Sequence, residues 1–162
     1  MKQFIALYFF YLLLLFTLFY TDISILALLI NEMQTNLTLF FLNIFLISDQ
    51  LQGIDIHITP QYKIIITQAC NGMIPILFLF ASILAYPSPL LHKIFWMCIG
   101  YITFLFVNVF RILIVVYFVE QEEGRGNFYW SHDLLGNALL MGVGLGIFIA
   151  FIKTSRKLKK II

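Results

Sequence analysis

A chain of 162 residues that is 62% hydrophobic and 11% charged, with a mean hydropathy of +0.97, is far from the balance of a water-soluble domain. At roughly 20 apolar residues per crossing it has room for about four or five helical spans and no sizeable soluble domain, so residues 1–162 read as one membrane domain. A formal net charge of +2, with basic residues that do not interleave with aromatics along any face, excludes a nucleic-acid partner. Cys70 and Cys98 form no disulfide or metal spacing and the three histidines are scattered, so neither a metal nor a cofactor is expected.

The first apolar run, Phe4 to Tyr20, has no small-residue cleavage site after it and reads as a retained anchor. From Ser24 to Ile47 the apolar pattern is broken by Asn31, Glu32, Gln34, Thr35, Asn36, Thr38 and Asn43, which suits an interfacial or re-entrant helix better than a full crossing. Next, Ile54, Ile56 and Ile58 alternate with Asp55 and His57, and Thr59-Pro60-Gln61-Tyr62 offers a turn before Lys63–Thr67. That pattern predicts a small hairpin in or on the headgroups.

Gly72–Tyr86 is a short second span closed by Pro87 and Pro89, and a tight turn leads into the third, Ile94–Val119, as its antiparallel neighbour. The fourth, Leu134–Ile152, runs into a tail carrying Lys153, Arg156, Lys157, Lys159 and Lys160. The expected fold is therefore an all-α integral membrane protein of four or five transmembrane helices, with an interfacial helix and a small outer β-hairpin. It divides into an anchor and interfacial segment (1–50), a core (51–152) and a basic tail (153–162). Short cytoplasmic loops are enriched in Lys and Arg, so the tail, Lys93 and Lys2 are expected inside and all the acidic residues outside.

In that topology three separate parts of the chain converge near the non-cytoplasmic face. Cys70 sits at the outer mouth of the second span. Arg111 lies about 12 Å below Val119, in the outer leaflet. His132 opens the fourth span. A charge near the bilayer centre costs roughly 2.5–3.5 kcal/mol on insertion scales, so Arg111 needs a partner or a watery cavity, unless it snorkels to the headgroups. Asn108, three residues earlier, shares its helical face.

Cys70 by itself reads equally as a small buried hydrophobe. Near a helix start and a fixed cation, however, its thiolate is favoured, as nucleophilic chemistry requires. Cys98, toward the cytoplasmic end of its span, is expected to pack. His132 suits either a cap or a proton carrier at neutral pH, and Asp133 either orients it or complements the helix dipole. Tyr129 and Trp130 fit an interfacial aromatic belt that flanks the site and is able to touch substrate. His57 and His92 are expected at solvated surfaces, and Gly142 and Gly146 as a close helix-packing pair.

Ala69-Cys70-Asn71-Gly72 opening one span, Asn108-Val109-Phe110-Arg111 within the next and His132 at the head of the last resemble, in this order, the exosortase/archaeosortase family of membrane transpeptidases. The match covers roughly Ile56 to Phe151, and the compact size looks like the short exosortase H type. The resemblance implies a catalytic core in 51–152, with Cys70 as nucleophile, Arg111 as transition-state stabiliser, His132 as acid/base and Asn108 supporting Arg111. It further implies an enzyme of the cell (inner) membrane, with its site facing the extracytoplasmic side. Its partners would be exported proteins bearing a C-terminal sorting signal: a short motif, one transmembrane helix and a basic cluster. Cleavage through a thioester acyl-enzyme is the implied reaction.

Two other classes stay open on the residues alone. One is a small transport subunit with Arg111 and Asn108 lining a solute path. The other is a non-catalytic scaffold using the outer hairpin and the Glu120–Ser131 loop. A serine protease through Ser131-His132-Asp133 fails, because adjacent side chains on a helix point apart.

Overall fold

The computed structural model describes residues 2–21, 24–46, 50–59, 62–67, 70–121 and 136–161. In chain order these form α1 (Lys2–Phe19), α2 (Ile25–Phe45), β1 (Leu51–Gln52), β2 (Asp55–Thr59), β3 (Tyr62–Ile65), α3 (Met73–Ala85), α4 (Leu90–Gln121) and α5 (Gly136–Ile161). Four of the helices, α1, α2, α4 and the Gly136–Leu158 part of α5, are long and apolar enough to cross a membrane. Their outward faces are apolar: Leu13 and Ile25 are more than 70% exposed, as side chains solvated by lipid can be.

Helix membership differs from the sequence expectation in two places. The expected second span is α3, whose 13 residues cover only about 20 Å, short of the hydrocarbon thickness. The segment expected to be interfacial is one unbroken helix of 21 residues, α2. The polar residues that interrupt its apolar run divide between two faces. Gln34 and Thr38 are buried in the protein, on one stripe with Ala27 and Leu42, whereas Glu32, Asn36 and Asn43 are exposed.

The ends of α3 follow from local chemistry. The Asn71 side chain accepts the Met73 N–H at 3.0 Å, satisfying one of the unpaired donors of the first turn, where Pro75 is tolerated because its missing N–H has no helical acceptor. Pro87 restricts Tyr86 to extended backbone and stops the helix. The Lys93 ammonium then donates to the Leu84 carbonyl at 2.7 Å, fastening the start of α4 to the end of α3.

Antiparallel contact continues upward. A Cβ on Gly100 would come within 2.6 Å of the Leu79 side chain, so this glycine lets α3 and α4 approach closely. Phe104, Leu140 and Phe151 complete the core with Ile76, Leu79 and Ile83, joining α5 to the pair. At the lower end His92 stacks on Phe151 with centroids 5.3 Å apart and meets the Thr154 hydroxyl at 3.2 Å. It is thus part of the α4–α5 joint rather than the solvated residue expected.

At about 48 Å, α4 outruns α3. Its upper turns, Val109 to Val119, carry an antiparallel three-stranded sheet of order β1-β2-β3. The expected hairpin is β2–β3, paired Ile56↔Ile64, with β1 added through Leu51↔Ile56. Ile56, Ile64 and Ile66 point into the apolar cluster with Val115, Val116 and Leu42, while Ile65 is exposed; of the alternating isoleucines read from the sequence, Ile56 is buried and Ile58 partly so, whereas Ile54 is exposed.

Candidate active site

Cys70 lies in a tight turn just before α3, its N–H donating to the Thr67 carbonyl at 2.8 Å. Its side chain is 8% exposed, and its Sγ is 3.7 Å from the Thr67 hydroxyl. Two residues on, Gly72 takes a left-handed φ of +75°, and a Cβ there would sit 2.9 Å from the Asn108 Cγ. Both the backbone and the neighbour therefore demand glycine.

That close approach brings the α4 carboxamide onto the turn. Asn108 Nδ2 donates to the Cys70 carbonyl at 2.9 Å, and its Oδ1 accepts Arg111 Nη1 at 3.0 Å. Both residues are buried, Asn108 fully and Arg111 to 3% exposure. Arg111 is thus turned into the bundle instead of reaching out along it. Gly136, the first residue of α5, lies against it so closely that a Cβ would stand 2.5 Å from the guanidinium Nε. The shared face of Asn108 and Arg111 expected from their spacing is present.

Below the guanidinium, a cavity of about 670 Å³ runs between α3, α4 and α5, lined by Gly72, Pro75, Phe78, Phe104, Arg111 and Met141 among others. Its walls are apolar and its polar end is at Arg111. A permanent cation at the head of an apolar cavity interacts with an anion far more strongly than it would in water.

His132, Tyr129 and Trp130 lie outside the described residues. Cys98 is exposed on α4, so the packing role expected for it is not what the structure shows within this chain. Among the described residues no group of His, Cys, Asp and Glu is arranged to hold a metal ion.

Four polar residues near the site had not been singled out as site residues. Gln34 donates to the Asn71 carbonyl at 3.1 Å and accepts the Tyr101 hydroxyl at 2.6 Å. Asn71 Nδ2 donates to Asn31 Oδ1 at 3.3 Å, and Asn31 in turn donates to the Phe19 carbonyl at 3.2 Å. The available signal was spacing: Ala27, Asn31, Gln34, Thr38 and Leu42 recur every three or four residues, the period of one helix face.

A multi-pass helical membrane protein in which a carboxamide joins a guanidinium to the backbone of a cysteine defines the class. The family model described as transmembrane exosortase matches residues 2–150, and the chain belongs to that family. No curated protein and no solved structure matches.

Proposed function

We propose that this exosortase is a membrane cysteine peptidase or transpeptidase that cleaves the C-terminal sorting signal of exported proteins. The observation that carries this reading is the bridge from the Cys70 carbonyl through Asn108 to Arg111, which fixes a cation relative to a thiol in a buried site.

In the proposed reaction the Cys70 thiolate attacks the scissile carbonyl, forming a C–S bond while the carbonyl π electrons move to oxygen. Arg111 binds that oxyanion; a donor held in place in a water-poor cavity lowers such a barrier by roughly 3–4 kcal/mol. Collapse breaks the C–N bond, and the departing amine takes a proton from His132. Water or an amine acceptor then gives its proton to His132, attacks the thioester and releases Cys70. The sorting signal supplies the motif, the transmembrane helix and the basic cluster, and the site faces the extracytoplasmic side of the cell (inner) membrane.

Mass analysis of a co-expressed candidate substrate, with wild-type enzyme and with Cys70→Ala, tests the reading. A new C-terminus that requires Cys70 and persists in Cys98→Ala is expected. Equal processing in Cys70→Ala would remove the nucleophile and favour a transport or scaffold role.

A further inference from the structure

The turn that carries Cys70 is held by two buried carboxamides from two different helices. Asn108 of α4 takes the Cys70 carbonyl, and Gln34 of α2 takes the next one, that of Asn71, at 3.1 Å. The Gln34 amide is itself fixed in orientation. A carbonyl cannot donate, so Nε2 must face Asn71, which leaves Oε1 to accept the Tyr101 hydroxyl at 2.6 Å. Gln34 is 1% exposed and Asn71 is fully buried.

Packing alone does not call for this chemistry. An apolar side chain of similar length would fill the same space between α2 and α4, although it would take a donor from the buried Asn71 carbonyl at about 1–3 kcal/mol. What the amide adds is direction. It fixes the peptide unit immediately after Cys70, while the Asn71 side chain caps α3 through the Met73 N–H. The thiol is thereby kept at the start of α3 and beside the Asn108–Arg111 bridge, and both a helix N-terminus and a cation favour the thiolate.

We propose that Gln34, with its carboxamide oriented by Tyr101, is a positioning residue for the Cys70 thiol, so that α2 is part of the site and not only part of the wall around it. The proposal rests on the reading of Cys70 as the nucleophile. Arg111 and Tyr101, both on α4, are the ionisable groups that the described hydrogen bonds connect to this turn.

The test uses the full chain in lipid nanodiscs with Cys98→Ala, so that iodoacetamide reports on Cys70 alone. Alkylation rate against pH is measured beside thermal unfolding for the parent, Gln34→Leu, Tyr101→Phe and Thr38→Val. Thr38 is buried on the same α2 face and, among the described residues, bonds back to its own helix at the Gln34 carbonyl, so it controls for packing.

Gln34→Leu is expected to slow alkylation at neutral pH roughly three- to tenfold through a midpoint raised by about half to one pH unit. Tyr101→Phe should move it the same way by less, and Thr38→Val should keep the parental profile whatever its unfolding temperature. Should Gln34→Leu fail to accumulate, Tyr101→Phe, which removes a single hydroxyl, decides by itself. Profiles of Gln34→Leu and Tyr101→Phe that overlay the parent, with only stability lowered, would overturn the proposal. Alkylation reads the thiol and not turnover, so continued substrate cleavage by Cys70→Ala would sink the nucleophile reading separately.

Discussion

The guanidinium of Arg111 reaches the backbone of Cys70 through one intervening side chain, the Asn108 carboxamide, which donates at one end and accepts at the other. Because Asn108 is fully buried and Arg111 nearly so, neither can exchange this arrangement for water without opening the bundle. Cys70 lies in the turn before α3 and the cation on α4, yet the Cys70 backbone is tied to that cation by a chain of bonded groups.

Asn108→Asp and Asn108→Leu separate the two ends of that link. Aspartate still accepts from Arg111 but has no donor for the Cys70 carbonyl, and its charge offsets the cation. Leucine removes one hydrogen bond from each partner, at up to about 1–3 kcal/mol for each buried group. Asn108→Leu is expected to lower the unfolding temperature and Asn108→Asp to lower it less, while both reduce substrate cleavage about a hundredfold or more. Parental cleavage by Asn108→Asp, read on a gel, would show that Asn108 acts only in packing.

Gly72 and Gly53 both have positive φ, +75° and +63°, but only Gly72 has a neighbour in the way. Gly53→Ala should cost about 1–2 kcal/mol for the left-handed backbone alone. Gly72→Ala should cost about 1–3 kcal/mol more, because its methyl must displace the Asn108 side chain. Thermal unfolding of the two variants measures the difference. Cleavage should survive in Gly53→Ala and fail in Gly72→Ala, and equal stability losses would mean that Asn108 moves aside freely.

How far the sequence could be read follows from what each residue faces. Pro87, Pro89 and the apolar runs around them marked α3 and α4, because both the core and the lipid ask for apolar side chains, and alternation followed by a turn signal marked the β2–β3 hairpin. In α2 burial and hydrophobicity part. Gln34 and Thr38 are polar and buried; Gln34 pairs with residues as distant in sequence as Asn71 and Tyr101, and the spacing that puts it on one face with Ala27 and Leu42 does not by itself say which face is buried. β1 is two residues long and has no period to detect. At the small-residue pair Gly142 and Gly146, read as a packing seam, an added Cβ would meet nothing within 4 Å among the described residues, whereas at Gly144 between them it would sit against Phe104. Arg111 was legible because a charge within a span is costly enough to be informative singly, and Asn108 by its place three residues before it, whereas Cys70, equally a small buried hydrophobe by itself, stood out only beside that cation and in the family resemblance. Gln34 became visible only with its partners.

The placement of α2 in the bilayer is open to direct measurement. Glu32, Asn36 and Asn43 are exposed on the face opposite Gln34 and Thr38, a polar stripe that suits headgroups along the whole helix. In a background without native cysteines, Glu32→Cys, Asn36→Cys, Asn43→Cys and Asp55→Cys are all expected to react with an impermeant maleimide on intact cells, and Lys157→Cys only after the cells are opened. Labelling of only one of Glu32→Cys and Asn43→Cys on intact cells, with Asn36→Cys protected, would mean that α2 crosses. Labelling of Asp55→Cys only in opened cells would reverse the topology and put the site on the inner side.

Arg111 makes the strongest physical claim, since a guanidinium turned into an apolar cavity must have a use for its charge or its geometry. The proposed mechanism uses both: the charge favours the Cys70 thiolate, and the planar fork of donors allows one N–H to hold Asn108 while others face an oxyanion. Arg111→Lys retains the charge on a shorter donor and loses the fork. Thiolate formation should then partly survive while cleavage falls steeply, by about a hundredfold or more. Arg111→Met removes both. A cation near a thiol lowers the pH at which it ionises, so the midpoint of Cys70 alkylation should rise from wild type to Arg111→Lys and again to Arg111→Met. Gly136→Ala offers a third perturbation, because its methyl would press on the guanidinium without touching its charge. It should lower cleavage more than it moves the alkylation midpoint. If Arg111→Met leaves both the midpoint and the cleavage rate at wild-type values, Arg111 serves only to join α4 to α5, and the oxyanion must be stabilised elsewhere.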